Sequence, residues 1–234
     1  MKLTKHWFLP LIHLFFPRYC AACGRRLQEE EIGLCKHCWE HLPRTNYHLQ
    51  EDSLAEKLFW GKFPLGRVTA YYHYRPGSSF AEIVHLIKYR NRPELGITMG
   101  RLMAEELMQT SFFEGVDLLI PVPLHKKRFR QRGYNQSERL ATGISQLTAI
   151  PVATNLVSRN RHTETQTHKT AQERYENMRQ VFQLDVSPEI LTGKHVMLVD
   201  DVLTTSATLT ACADVFKDIP DITISILTLA VAGH

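Results

Sequence analysis

The stretch VMLVDDVLTTSATL, Val196–Leu209, decides the fold. With His195 it opens on an apolar run, HVMLV, of the kind found in strands covered on both faces. That strand ends in Asp200-Asp201, and a short loop rich in Thr and Ser leads directly into a helix from Ser206 to Phe216. The loop and first helical turn offer unpaired backbone N–H groups, and the helix dipole favours negative charge there. Hydroxyls of Thr204, Thr205, Ser206 and Thr208, set around the small Ala207, add donors, so the loop suits a phosphate. Two carboxylates would repel that phosphate, but they suit sugar hydroxyls or a magnesium ion. Phosphate and polyol on one ligand point to a ribose 5-phosphate. The plainer alternative is an N-cap threonine beside two solvated aspartates. An apolar run, an acidic pair and TTxAT in this order are more specific than that.

Outward from this stretch, strand-like and helix-like segments alternate. Arg67–Tyr74 is aromatic and β-branched, hence a strand. Ser78–Tyr89 places Phe80, Ile83, Val84 and Ile87 on one helical face. Leu95–Met108 reads as a helix, Val116–Val122 as a buried strand stopped by prolines, and Gln136–Leu147 as a helix. Asn155–Ser158 reads as a short strand, Ala171–Met178 as a helix and Ile222–Ala232 as an apolar strand. The alternation predicts an α/β fold with a mostly parallel sheet and ligands at the strands' carboxyl ends.

At 234 residues, with 44% hydrophobic and 22% charged residues, the chain is neither disordered, collagen-like nor a multi-span membrane protein. The net charge of +4 is small, but it is unevenly placed. Pro123–Arg179 holds 11 Lys and Arg against 4 Glu, a net +7, and the remainder holds 17 basic against 20 acidic residues, a net −3. The basic segment suggests a site for an anion. Arg128, Arg130 and Arg132 follow a strand end, and arginine binds phosphate oxygens bidentately. Arg132, Asn135 and Gln136 precede a helix and are candidates to face the ligand, whereas Lys126 and Lys127 read as solvated surface. Arg159, Arg161, Gln166 and Lys169 fall in a stretch of little apolar content, read as a loop ordered by an anion.

Cys20, Cys23, Cys35 and Cys38 spell C-x2-C-x11-C-x2-C. Two such knuckles can converge on one zinc ion, and a closed four-thiolate shell is structural rather than catalytic. Two disulfides or a redox pair are the rival readings; the spacing and the lack of an export signal favour zinc. A segment this short takes its folding energy from the metal. His37 and His41 read as bystanders, with replacement of a cysteine ligand by either as the alternative, and Cys212 as a small buried hydrophobe. The apolar run Trp7–Phe16 is ten residues long, against the ~20 needed to cross a bilayer. It reads as an arm packed on the body, with shallow membrane attachment as the alternative. The expected organisation is an arm and zinc module over residues 1–48, a connection over 49–66 and an α/β domain over 67–234.

The Asp200-Asp201 loop resembles the phosphoribosyl diphosphate (PRPP) loop of type I phosphoribosyltransferases. The resemblance implies that Asp200 and Asp201 contact the ribose hydroxyls, with a catalytic role if there is turnover. It implies too that Thr204, Thr205, Ser206, Ala207 and Thr208 cradle the 5-phosphate, with magnesium accompanying PRPP. Position 206 is usually Gly in that pattern, and Ser206 either substitutes as a donor or crowds the phosphate. Further blocks, in order, resemble the ComF/GntX (competence protein F) branch. These are the zinc knuckles after a Phe-Pro start, HLIKYRNRPELG (His85–Gly96), IPVPLHKKRFRQRGYNQSERLA (Ile120–Ala141) and RHTETQT…RYENMRQVF (Arg161–Phe182). Glu164-Thr165 departs from the family, where basic residues or proline are usual. Only the resemblance raises Lys88 above a surface lysine; it implies pyrophosphate or nucleic-acid contact for Lys88, as for Arg128, Arg130, Arg132, Asn135, Gln136, Arg161 and Gln166.

Three functions compete. The first is a ComF-type, PRPP-binding protein of DNA uptake and natural transformation, handling single-stranded DNA on the cytoplasmic side of the membrane. Phe129 and Tyr134 among the arginines suit base stacking there. The second is an active phosphoribosyltransferase acting on an unidentified nucleophile. The third is a PRPP sensor acting on a protein partner, such as a component of the competence machinery, through the zinc module. The expected protein is a cytoplasmic monomer, peripheral to the membrane at most and without stable insertion.

Overall fold

The structure is a computed structural model that describes residues 17–159 and 181–233. The arm before Pro17, the helix expected at Ala171–Met178, and Arg161, Gln166 and Lys169 lie outside the described residues. A four-stranded, wholly parallel sheet forms the centre. Its strands are β1 (Leu65–Tyr74), β2 (Leu118–Pro121), β5 (His195–Leu203) and β6 (Thr223–Ala232), in the order β1-β6-β5-β2. Two short strands, β3 (Val157–Arg159) and β4 (Phe182–Leu184), pair antiparallel beside it. This is the expected α/β class, and β5 and β6 occupy the interior because both of their faces are apolar.

Side-chain alternation along β5 divides the core. Met197 and Val199 join a cluster with Phe80, Ile83, Met99 and Ile144, whereas Val196 and Leu198 join one with Phe59, Leu209 and Phe216. Ser78 caps α3 (Ser79–Tyr89) by accepting from the Ala81 N–H at 3.1 Å, and the expected face of Phe80, Ile83, Val84 and Ile87 is buried. Helix α4 (Pro93–Leu107) buries Leu95, Met99, Met103 and Leu107 at four-residue spacing. It crosses α6 (Gln136–Thr148) where Gly100 and Gly143 meet. A Cβ on Gly100 would lie 2.2 Å from the Leu140 carbonyl, and one on Gly143 would lie 2.1 Å from the Ile97 carbonyl. Only glycine lets these backbones approach so closely, and the crossing fixes the helix whose N-terminus meets the acidic pair.

The zinc module, with its helix α1 (Lys36–Glu40), is packed into the body. Cys20, Leu34, Cys35 and Leu42 share one apolar cluster with α3 and α4. Residues 43–45 then run along the edge of β1: the His73 N–H donates to the Pro43 carbonyl at 2.7 Å, and the Thr45 N–H to the Tyr71 carbonyl at 3.0 Å. Between them, Arg44 Nε donates to both oxygens of Glu106 on α4, at 3.0 and 2.8 Å. Its Nη1 donates to the Trp39 carbonyl at 3.1 Å, and Tyr71 also donates to Glu106. Burial pushes the Glu106 pKa up, but Arg44 and Tyr71 outweigh it and hold the carboxyl below its usual range. The connection is not featureless. It contains α2 (Leu54–Lys57) and buries Phe59 and Phe63 against the sheet.

Candidate functional site

Strand β5 does not end at the acidic pair. Its pairing with β6 continues through Asp200↔Thr228, Val202↔Ala230 and Leu203↔Val231, so both aspartates lie within the strand. The apolar run stops at Val199, but the β6 backbone continues alongside and supplies partners. On the other side β2 stops at Pro121, and the pair faces the space beyond it.

That space is closed by the start of α6. Asn135 caps the helix, its Oδ1 accepting from the Ser137 N–H at 3.2 Å and its Nδ2 donating to the Val122 carbonyl at 3.0 Å. These bonds fasten α6 to the end of β2 and aim its first residues at the aspartates. Gln136 Nε2 donates to Asp201 Oδ2 at 3.0 Å, and Ser137 Oγ donates to Asp200 Oδ1 at 2.8 Å. The Asp201 N–H donates to the same Asp200 oxygen at 2.9 Å. Lys88, in the last turn of α3, places Nζ 3.2 Å from Asp201 Oδ1, with both side chains largely covered. Burial, and then the charge of Asp201, push the Asp200 carboxyl up from 3.8 to about 7.

A raised carboxyl pKa has a defined consequence for stability. Between about pH 4 and pH 7 the folded protein binds more protons at Asp200 than the unfolded chain does, so this group's contribution falls as pH rises through that window. Asp200→Asn removes the ionisation. Thermal melts of both proteins are expected to coincide near pH 4, with the variant progressively more stable up to about pH 7 and a constant difference above it. A difference that does not change with pH contradicts this reading of the carboxyl.

The pair opens into a cavity of about 470 Å³, bordered also by Thr204, Thr208, Arg128, Arg132 and Arg159. Arg128 and Arg132, expected only to follow a strand end, belong to α5 (Lys126–Arg132), and Gly133 in the left-handed region ends that helix at φ 78°. Arg132 lies over the exposed Tyr89 ring, 5.1 Å from its centroid. Arg159 is on β3 and not in a loop; it lies 5.2 Å from the Phe182 centroid. Its pKa is lowered by burial and then by the charge of Arg128. Arg130, Lys126 and Lys127 are exposed and do not border this cavity. Both ends of the Asn135 side chain are used by the fold.

Thr204, Thr205 and Ala207 are exposed around the turn into α7 (Ala207–Ala213), and Ser206 is partly covered. Ser206 Oγ accepts from Lys62 Nζ at 2.8 Å. The Lys62 contact, the Ser137 bond and the position of Tyr89 were not legible in the sequence. Lys62 and Ser206 are 144 residues apart, and nothing local to either signals the pairing. Ser137 did carry a faint signal, as the hydroxyl just inside an Asn-led helix start. Tyr134, expected to stack bases, is buried and donates to the Ile87 carbonyl.

The ligand atoms of Cys20, Cys23, Cys35 and Cys38 all lie within 4.8 Å of one another, with Cys23 and Cys35 sulfurs 3.9 Å apart. Four thiolates at about 2.3 Å from one zinc are about 3.8 Å apart in a tetrahedron, so the cluster fits the metal. The cysteines are unpaired by disulfides. His37 and His41 pack with tilted rings 4.3 Å apart, outside the cluster, and Cys212 is buried. A larger groove, about 740 Å³, is lined by residues of this module, of α4 and of the end of α6. Its walls combine Leu34, Trp39, Ile97 and Leu102 with charged side chains, among them Glu94, Arg101 and Glu105. Among the described residues no helix is long and apolar enough to cross a membrane.

Residues 11–49 match the double zinc ribbon domain family. The chain is 29% identical over 201 residues to competence protein F of Haemophilus influenzae, covering 85% of this chain and 83% of that protein. It is 30% identical over 197 residues to DNA utilization protein YhgH of Shigella flexneri, covering 83% and 82%. The same protein of Escherichia coli K12 is 29% identical over 197 residues. With identity at this level over more than four fifths of both chains, the protein belongs to the competence protein F/DNA utilization protein YhgH family.

Proposed function

We propose that this protein binds PRPP with magnesium in the cleft at the carboxyl end of β5 and handles single-stranded DNA during DNA uptake. The observation that carries the first half is the convergence of Asp200 and Asp201 with Arg128, Arg132, Arg159 and two loop threonines on one cavity. Carboxylates accept from ribose hydroxyls, and the arginines offer bidentate donors to a diphosphate. The donor set suits magnesium, a hard cation that takes carboxylate oxygens and, when bound, offsets diphosphate charge. The second half draws on what the relatives' names say of them, competence and DNA utilization. Support within the chain comes from exposed Tyr89 under Arg132 and from exposed Phe129 on the helix that carries Arg128 and Arg130, aromatic and basic groups suited to stacking bases and following phosphates. The cytoplasmic side of the membrane, where incoming strands emerge, is the proposed place of action, with a protein of the uptake machinery as partner.

Neutralising Arg128, Arg130 and Arg132 to Gln tests the nucleic-acid half. If each meets one phosphate, the salt slope of single-strand binding (log K against log salt) becomes shallower by about 2. An unchanged slope and affinity, measured by fluorescence anisotropy, would remove these arginines from single-strand binding.

One observation favours turnover as a second reading. Asp200, whose carboxyl is pushed up by burial and then by the charge of Asp201, borders the same cavity as Arg128, Arg132 and Arg159, which makes it the candidate proton acceptor. In that reaction the C1–oxygen bond of PRPP breaks, pyrophosphate leaves with the electron pair, and a nucleophile bonds to C1 and passes its proton to Asp200. Release of pyrophosphate, assayed over a broad set of nucleophiles, separates this reading from binding alone.

A further inference from the structure

The acidic pair is already provided with internal partners. Asp201 has Gln136 on one oxygen and the Lys88 ammonium on the other, while Asp200 Oδ1 receives Ser137 and a backbone N–H. Lys88 and Asp201 leave only 19% and 15% of their side chains exposed. Lys88 sits on an ordered helix and borders the same cavity as Arg128 and Arg132. A divalent cation arriving alone at Asp201 meets a positive charge 3.2 Å from the oxygen it needs. An anionic ligand arriving with the cation changes the balance, because its negative charge offers the ammonium another partner across the cavity.

We propose that Lys88 is a built-in counter-cation of the acidic pair, which excludes a free divalent cation and yields Asp201 only to a cation that enters with an anionic ligand. The proposal deepens the proposed function by setting an order of entry. Its core claim concerns magnesium alone and holds whether or not PRPP is the ligand.

The test is calorimetric titration of magnesium chloride, without any phosphate, into zinc-loaded full-length protein. Lys88→Met is expected to bind magnesium at least tenfold more tightly than wild type. Lys88→Arg, which keeps the charge, is expected to behave as wild type. Adding Asp201→Asn to Lys88→Met is expected to abolish the gain, which places the ion at the pair. If Lys88→Met is poorly folded, Lys88→Gln carries the same comparison. Equal magnesium affinity in wild type and the neutral variant overturns the proposal, as does an equal gain in Lys88→Arg. Failure to bind PRPP in the presence of magnesium counts against the proposed function and leaves this comparison standing.

Discussion

Cys35→Ser is expected to lower the melting temperature by roughly 10 °C or more, and stripping zinc with a chelator is expected to do the same to wild type. Loss of a structural metal belongs to the few changes that cost more than about 4 kcal/mol, and each kcal/mol is worth about 2–4 °C at this chain length. The large effect follows from how the module is seated. Cys20, Leu34, Cys35 and Leu42 complete the apolar cluster that includes Leu95, Met99 and Met103 of α4. A methyl on Gly33 would lie only 3.0 Å from Leu95 Cδ1, so the knuckle loop rests directly on that helix. Arg44 and Glu106 are the hinge of the same contact, and separating them leaves charges in a half-covered place. Zinc loss therefore uncovers one face of the domain. Calorimetry with metal analysis checks this: a zinc-free Cys35→Ser protein melting within about 2 °C of wild type would show the ribbon to be an independent appendage.

The second large effect concerns the ligand. Asp200→Asn/Asp201→Asn keeps the shape of the pair and removes its charge. A hydrogen bond to a charged group is worth about 1.5–3 kcal/mol, so losing two of them lowers affinity for PRPP by roughly 10²–10⁴-fold. The fold is expected to survive, because removing two close carboxylates relieves the burial and mutual repulsion that raise the Asp200 pKa. Isothermal titration in the presence of magnesium measures the loss. Affinity within about threefold of wild type would take the ribose hydroxyls away from these residues.

Much of this architecture is written locally. The α3 face, the apolar β5 and β6 and the two cysteine knuckles are read from spacing, because helix and strand periods and metal geometry act over a few residues. The strand's continuation past Asp200 was not legible, since it depends on the register with β6 and not on the polarity of the aspartates. The helix over the basic block gave no start signal because its cap is His125, outside the usual Ser, Thr, Asp and Asn set, although its Nδ1 accepts from the Lys127 N–H at 3.2 Å. In the site, the acidic pair and Gln136 were legible as types, and Lys88 only through the resemblance. What the sequence could not show is how they meet. The Lys88–Asp201 and Lys62–Ser206 contacts join residues more than a hundred positions apart, and only the packed helices and the sheet bring them together.

The central claim is that the cleft beside Asp200 and Asp201 is a PRPP site, and its most direct test is the melting temperature with and without PRPP plus magnesium. With PRPP at about a hundredfold over its dissociation constant, linkage gives about 2.7 kcal/mol of stabilisation. At this size that is a rise of about 5–11 °C in wild type. The account predicts this rise in wild type and at most about 2 °C in Asp200→Asn/Asp201→Asn at the same PRPP concentration. No rise in wild type, or an equal rise in both proteins, would contradict it.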